Sequence, residues 1–349
     1  MLIPETKNSS HKVQTYKIIL PVIIGLSVVG FLFYREFSID VFRQIHFTGM
    51  SVFWILMAFI CLIIKDFAYM ARLRTLSGYR LSWLQSFRVI ILWEFTSAIT
   101  PAVVGGASVS MLFIYKEGIG MGKSAAITMI ASILDELYFL ALIPLLLLLF
   151  DARQLFEMPS LPVAWIGSGL FGLTLLGYLA KLLWALLLAY GIFIHPRGFG
   201  ILMYRIAHLP FLKRWKRKVA GVAGDIAKTS QEIRTKNMSF WLESCFSTFL
   251  SWTARYLVAN CLFLAFFPVK EHLLLFSRQV VMFVALLFAP TPGGSGIAEI
   301  TFNEFLAGFV PVAGFSVVLA LLWRLVTYYP ELILGILIFP KWLGDKFGK

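Results

Sequence analysis

Apolar residues fall in long runs along this chain, with polar residues confined to the stretches between them. Residues 18–34, 50–64, 122–150, 161–194, 240–267 and 312–339 each read as a helix able to cross a bilayer, whose hydrocarbon core takes ~20 apolar residues. At ~1.5 Å per residue, the run 161–194 is too long for one untilted span and is either one long tilted helix or a kinked one. Two further apolar runs are interrupted. Residues 89–99 end at Thr100-Pro101-Ala102-Val103-Val104-Gly105-Gly106 and resume as a short arm over 107–115. Residues 280–289 end at Thr291-Pro292-Gly293-Gly294-Ser295-Gly296 and resume over 297–310. Proline and glycine break a helix and free backbone N–H and C=O groups that lipid cannot satisfy. Such backbone must be buried in protein or line a wet cavity, and a pair of interrupted segments points to a transporter's binding site.

Composition agrees with a polytopic membrane protein. The 349 residues are 59% hydrophobic and 14% charged, against about 25% charged in a soluble domain. The net charge of +13 is explained by cytoplasmic loops and anionic lipid, so no nucleic-acid partner is expected. The basic stretch 195–238 holds ten Lys/Arg and two acids. Its centre, Lys213-Arg214-Trp215-Lys216-Arg217-Lys218, is flanked by apolar residues and reads as an amphipathic helix on an anionic lipid surface. Cys61, Cys245 and Cys261 show no metal spacing and read as small core residues.

Lys/Arg counts set an orientation. With both termini and residues 65–88, 105–123 and 195–238 in the cytoplasm, 23 Lys/Arg lie inside and five outside, in loops 35–49, 151–161 and 268–278. This requires residues 81–117 to enter from the cytoplasm and return, and residues 278–310 to enter from outside and return. The expected fold is therefore all-α: a single integral membrane domain over 1–349 with about six full spans plus two opposed re-entrant helical hairpins. Thr100-Pro101 with Gly105-Gly106 echoes Thr291-Pro292 with Gly293-Gly294. Each is followed by a short arm, a loop and a span with a charge near its middle. Units 81–150 and 278–339 thus form a candidate inverted-topology repeat. The Gly-rich run 161–194 offers an internal or intersubunit face, making a homo-oligomer a candidate assembly.

Charges inside spans are costly and mark pairs, substrate routes or proton routes. Asp135, Glu136, Arg255 and Arg324 lie near mid-span, and Glu94 and Glu299 flank the two breaks. The two mid-span acids and two arginines are candidates either to neutralise one another or to line a translocation site. Half-helices starting near Gly106 and Gly296 aim N–H groups at the same region and attract anions. For Glu299, in a first turn, helix capping is the plainer role. Glu304 and Glu331 read as interfacial, and Lys181 as a snorkelling side chain. An anionic ligand held by Arg324 and Arg255 predicts that Arg324→Ala abolishes transport in a folded protein. No nucleophile set, metal set or nucleotide loop is found, so neither enzyme activity nor a cofactor is expected.

The segment Thr291-Pro292-Gly293-Gly294-Ser295-Gly296-Ile297-Ala298-Glu299 resembles the Pro-Gly-Gly-x-Gly-x-x-Glu signature of the flippase-like membrane domain of lysylphosphatidylglycerol synthases. Residues 97–106, followed by Lys116-Glu117-Gly118 and Lys123-Ser124-Ala125, resemble that family's first block. Where many relatives carry Gly-Gly-x-Pro-x-Arg or Gly-Glu-x-x-Arg, Ala107-Ser108-Val109-Ser110 stands here. The resemblance implies translocation of an anionic, aminoacylated or polyprenyl-linked lipid across the cytoplasmic membrane. The family's lysyl-transferring part is a separate soluble domain, so a synthase or glycosyltransferase is expected only as a partner chain. The competing reading is an ion-coupled secondary transporter of a small anion.

Overall fold

The computed structural model describes residues 48–100, 106–157, 163–195, 228–289, 291, 293–312 and 314–347. The expected first span at 18–34, Pro101, Gly105, Pro292 and the basic cluster Lys213, Arg214, Lys216, Arg217 and Lys218 lie outside the described residues. The described chain is helical, with no strand. In order, α1 is Gly49–Ser77, α2 Trp83–Ile99, α3 Gly106–Lys116, α4 Met121–Leu149, α5 Ala152–Phe156 and α6 Val163–Ala189. Then come α7 Met238–Leu264, α8 His272–Ala285, α9 Ile297–Leu306, α10 Phe315–Thr327 and α11 Tyr329–Phe347.

Four stretches of the described residues are long and apolar enough to cross a membrane: Gly49–Ser77, Met121–Leu149, Thr174–Ile194 and Phe315–Asp345. Their outer faces carry exposed apolar side chains, such as Phe53, Leu56, Ile63 and Phe67 on α1 and Leu176, Leu179 and Leu183 on α6. Contiguous apolar surface of this kind suits lipid rather than water. Helix α7, at 27 residues about 40 Å long, spans a similar distance. It is more polar because Ser244, Ser247, Thr248 and Ser251 are buried on it. Small residues let helix backbones approach in lipid, and α7 packs along α1, where Tyr69 meets Trp252 edge-on at 6.4 Å.

Two boundaries differ from the sequence reading, and the open alternative at 161–194 is decided. Helix α1 runs to Ser77, beyond the expected end at residue 64, because Lys65 and Arg72 are buried and paired rather than solvated. The run 161–194 is one helix from Val163 to Ala189 whose last turn widens into a π-helix over Tyr190–Ile194. The last expected span is interrupted at Tyr328, just before Pro330, which has no N–H to donate.

Helices α2 and α3 form an antiparallel hairpin. The Gln85 side chain at the start of α2 donates to the Glu117 carbonyl after α3 at 3.1 Å, and Arg88 pairs with Glu117 at 3.0 Å. Helices α8 and α9 form a second. Arg278 on α8 donates to the Phe305 carbonyl on α9 at 3.1 Å, to the Gln154 carbonyl at 2.8 Å and to Glu157 at 3.0 Å. Helix α4 runs from beside one hairpin base at Met121 to beside the other at Leu149. The bases therefore lie at opposite ends of α4, and the tips meet between them.

Candidate functional site

The tips meet through backbone. The Gly293 N–H donates to the Thr100 carbonyl at 3.3 Å, joining the two interrupted segments 193 residues apart in sequence. The Tyr328 hydroxyl donates to the Ala98 carbonyl at 3.1 Å, and the Thr100 hydroxyl to the Thr96 carbonyl at 2.6 Å. Arg324 Nη2 donates to the Gly293 carbonyl at 3.3 Å. Among the described residues, the Thr100, Ala98 and Gly293 backbone groups are thus taken up by the opposite tip, by Tyr328 and by Arg324 on α10. Glycine is required at 293 on two counts. Its φ is +58°, and an added Cβ would lie 2.7 Å from the Ala98 carbonyl oxygen and 2.7 Å from Tyr328 Cε2.

Glu299 is buried in the first turn of α9. Its Oε2 accepts the Gly296 N–H at 2.7 Å, and its Oε1 lies 2.9 Å from Arg324 Nε. A carboxylate at a helix N-terminus is favoured by the dipole, and here it occupies the anion position that the sequence offered to a ligand. Gly296 supplies the bend into this helix with φ +86°. Gly294, at φ +66°, has Arg324 Nη2 4.0 Å from where its Cβ would stand. Thr291 lies beside the tip, half-buried. Gly106 begins α3.

A second set of charges lies along α1, α2, α7 and the start of α11. Glu94 pairs with Arg255 at 2.5 Å and lies 3.7 Å from Lys65. Lys65 also contacts Glu331 directly and Asp66 at 3.0 Å. The Arg255 guanidinium stacks 5.2 Å from the Trp252 ring. Further along α1, Arg72 holds Asp135 at 2.5 Å and 3.3 Å and donates to Thr248 at 3.2 Å, while Trp252 Nε1 donates to Asp135 at 2.7 Å. Glu136, facing α6, takes Lys181 at 2.9 Å.

The sequence picked out six of these charged residues but not their partners. Asp135 and Glu136 pair with Arg72 and Lys181, not with Arg255 and Arg324. Lys181 does not snorkel; it is 6% exposed and ion-paired. Glu331 is not interfacial; it too is 6% exposed, against Lys65. The residues missed are Lys65, Asp66 and Arg72. The usable signal was periodicity, since Ala58, Cys61, Leu62, Lys65, Tyr69 and Arg72 follow helical spacing on one buried face.

Two concavities lie away from the tips. One, about 300 Å³, is an apolar groove between α4 and α7, walled by Leu137, Tyr138, Leu145, Cys245 and Phe249 and reaching Thr248, the hydroxyl partner of Arg72. The other, about 200 Å³, lies at the α1–α2 turn beside Arg74, Tyr79, Trp83 and Glu243. No group of three or more His, Cys, Asp or Glu positioned to hold a metal exists among the described residues.

Long apolar helices, lipid-suited outer faces and charges buried in pairs define a multi-pass α-helical membrane protein. The chain belongs to the family described as the lysylphosphatidylglycerol synthase TM region, which it matches over residues 18–335. It is also 25% identical over 268 residues to a protein of Archaeoglobus fulgidus described as a UPF0104 membrane protein, covering 74% of this chain and 76% of that one. No solved structure matches.

Proposed function

We propose that this protein moves a lipid with an anionic, aminoacylated or polyprenyl-linked headgroup across the cytoplasmic membrane. The observation that carries transport is the meeting of two interrupted segments at Gly293 and Thr100, with bases at opposite ends of α4. Placed in a bilayer, these are two opposed re-entrant hairpins near the midplane. An inverted repeat of 81–150 and 278–339 is supported by their bases, where Gln85 and Arg278, each on a first arm, donate to a backbone carbonyl at the end of the second. The lipid reading is favoured over a small-anion carrier by the apolar α4–α7 groove, which suits an acyl chain and leads to the polar Thr248–Arg72–Asp135 set.

Both termini face the cytoplasm in this reading. Moving the buried Lys65, Arg72 and Arg278 out of the loop counts leaves 21 Lys/Arg inside and four outside, so the bias stands. The basic segment around Lys213, Arg214, Lys216, Arg217 and Lys218 gathers anionic headgroups, and a synthase or glycosyltransferase chain supplies the lipid.

The test is reconstitution into liposomes with leaflet-specific fluorescent lipids of differing headgroup, wild type beside Glu299→Gln. The expected result is headgroup-dependent transfer in the wild type and at least ~10-fold slower transfer in the variant, equal to ~1.4 kcal/mol of barrier. Folded wild-type protein that transfers no lipid but takes up a small anion would replace this reading with the carrier.

A further inference from the structure

Pairing the interior charges of the described residues one by one leaves one acid over. Among the described residues the middle of the bundle holds five cations, Lys65, Arg72, Lys181, Arg255 and Arg324. It holds six acids, Asp66, Glu94, Asp135, Glu136, Glu299 and Glu331. Arg72 is engaged by Asp135, Lys181 by Glu136, Arg324 by Glu299, Arg255 by Glu94 and Lys65 by Glu331. Asp66 is the sixth acid. It has only a share of Lys65, at 3.0 Å, and its buried Oδ1 accepts no aligned hydrogen bond.

The surroundings of Asp66 make the excess local. On its own helix it faces Lys65, with Tyr69 and Arg72 beyond. Glu94 approaches from α2 and Arg255 from α7, and Glu331 from α11 through Lys65. Lys65, Asp66, Glu94, Arg255 and Glu331 together carry two positive and three negative groups. An uncompensated charge within a bilayer is unfavourable, and two carboxylates sharing one ammonium do not both stay ionised.

We propose that the Lys65–Asp66–Glu331 cluster is a proton-binding site holding one proton on the Asp66 carboxyl. In the resting state Asp66 is a neutral acid, and the Lys65–Glu331 and Arg255–Glu94 pairs are balanced. Release breaks the Asp66 O–H bond, passes the proton to water and leaves one net negative charge on the cluster. Lys65 is then drawn towards Asp66 on α1 and away from Glu331 on α11. Glu331 is three residues from Tyr328, whose hydroxyl holds the Ala98 carbonyl at the hairpin tip. Proton release at α1 therefore loosens the start of α11 against the tip. The proton site rests on geometry alone; its use in coupling rests on the transport reading.

Infrared difference spectroscopy of the full chain in lipid nanodiscs tests it. The wild type is expected to show a protonated-carboxyl C=O band at neutral pH that disappears on alkaline titration. The band shifts when aspartate is ¹³C-labelled and is absent in Asp66→Asn, which stays folded because the amide mimics the neutral acid. No such band in folded wild type, or one unmoved by labelled aspartate, overturns the assignment. In liposomes, lipid transfer is expected to depend on an imposed pH gradient in the wild type and to lose that dependence in Asp66→Asn. An aspartate band in a protein that transfers no lipid supports the proton site while counting against the transport reading.

Discussion

Replacing Arg324 with alanine lowers stability by about 3–5 kcal/mol, the loss that follows when one partner of a buried ion pair is removed. Glu299, 2% exposed, would keep its charge and its bond to the Gly296 N–H but lose its only cation, and the Gly293 carbonyl would lose a donor. Thermal unfolding in detergent with size-exclusion recovery measures this. The double variant Arg324→Met, Glu299→Gln should recover most of the loss, because it removes both charges and retains the acceptor for Gly296. An alanine variant as stable as the wild type but inactive would return Arg324 to the role the sequence suggested, a ligand-binding cation free of structural duty. The structure favours stability because the anion on Arg324 is already present, supplied by the protein itself.

Gly293→Ala has the second large effect, and on a different quantity. The alanine Cβ would have to displace the Ala98 carbonyl or the Tyr328 ring, and φ +58° is itself unfavourable for an L-residue by ~1–2 kcal/mol. Overpacking adds ~1–3 kcal/mol. Gly294→Ala is the control. It has a similar φ of +66°, but its nearest neighbour would be 3.6 Å away. The expected outcome is a lipid-transfer rate reduced by ~10-fold or more for Gly293→Ala, and a smaller change for Gly294→Ala that reflects backbone strain alone. Equal effects at the two positions would mean that the tips do not press together as the Gly293–Thr100 contact requires.

The class and the two breaks were legible from residue order alone. Apolar runs of span length and a low share of charge leave little choice but helices in lipid, since only helices or closed barrels satisfy their own backbone there. Thr100, Pro101 and the glycines at 293, 294 and 296 were legible because proline and glycine act through local backbone geometry. Their requirement that the freed backbone be buried was legible too. What met that backbone was not, because Thr100 and Gly293, or Ala98 and Tyr328, are brought together only by tertiary packing, with α2 lying against α11.

The same division holds for the charges. Glu94, Asp135, Arg255, Glu299 and Arg324 stood out because each interrupts an apolar run. Lys65, Asp66 and Arg72 did not, because they follow an apolar run and look like the start of a loop. That α1 continues past them follows only from packing in space, since burial beside Glu331 and Asp135 turns a loop's charges into a core's. Ion pairing acts over a few ångströms in space and carries no preferred spacing along the chain. The sequence therefore located interior charge, and the fold alone decided which acid answers which base and which one is left over.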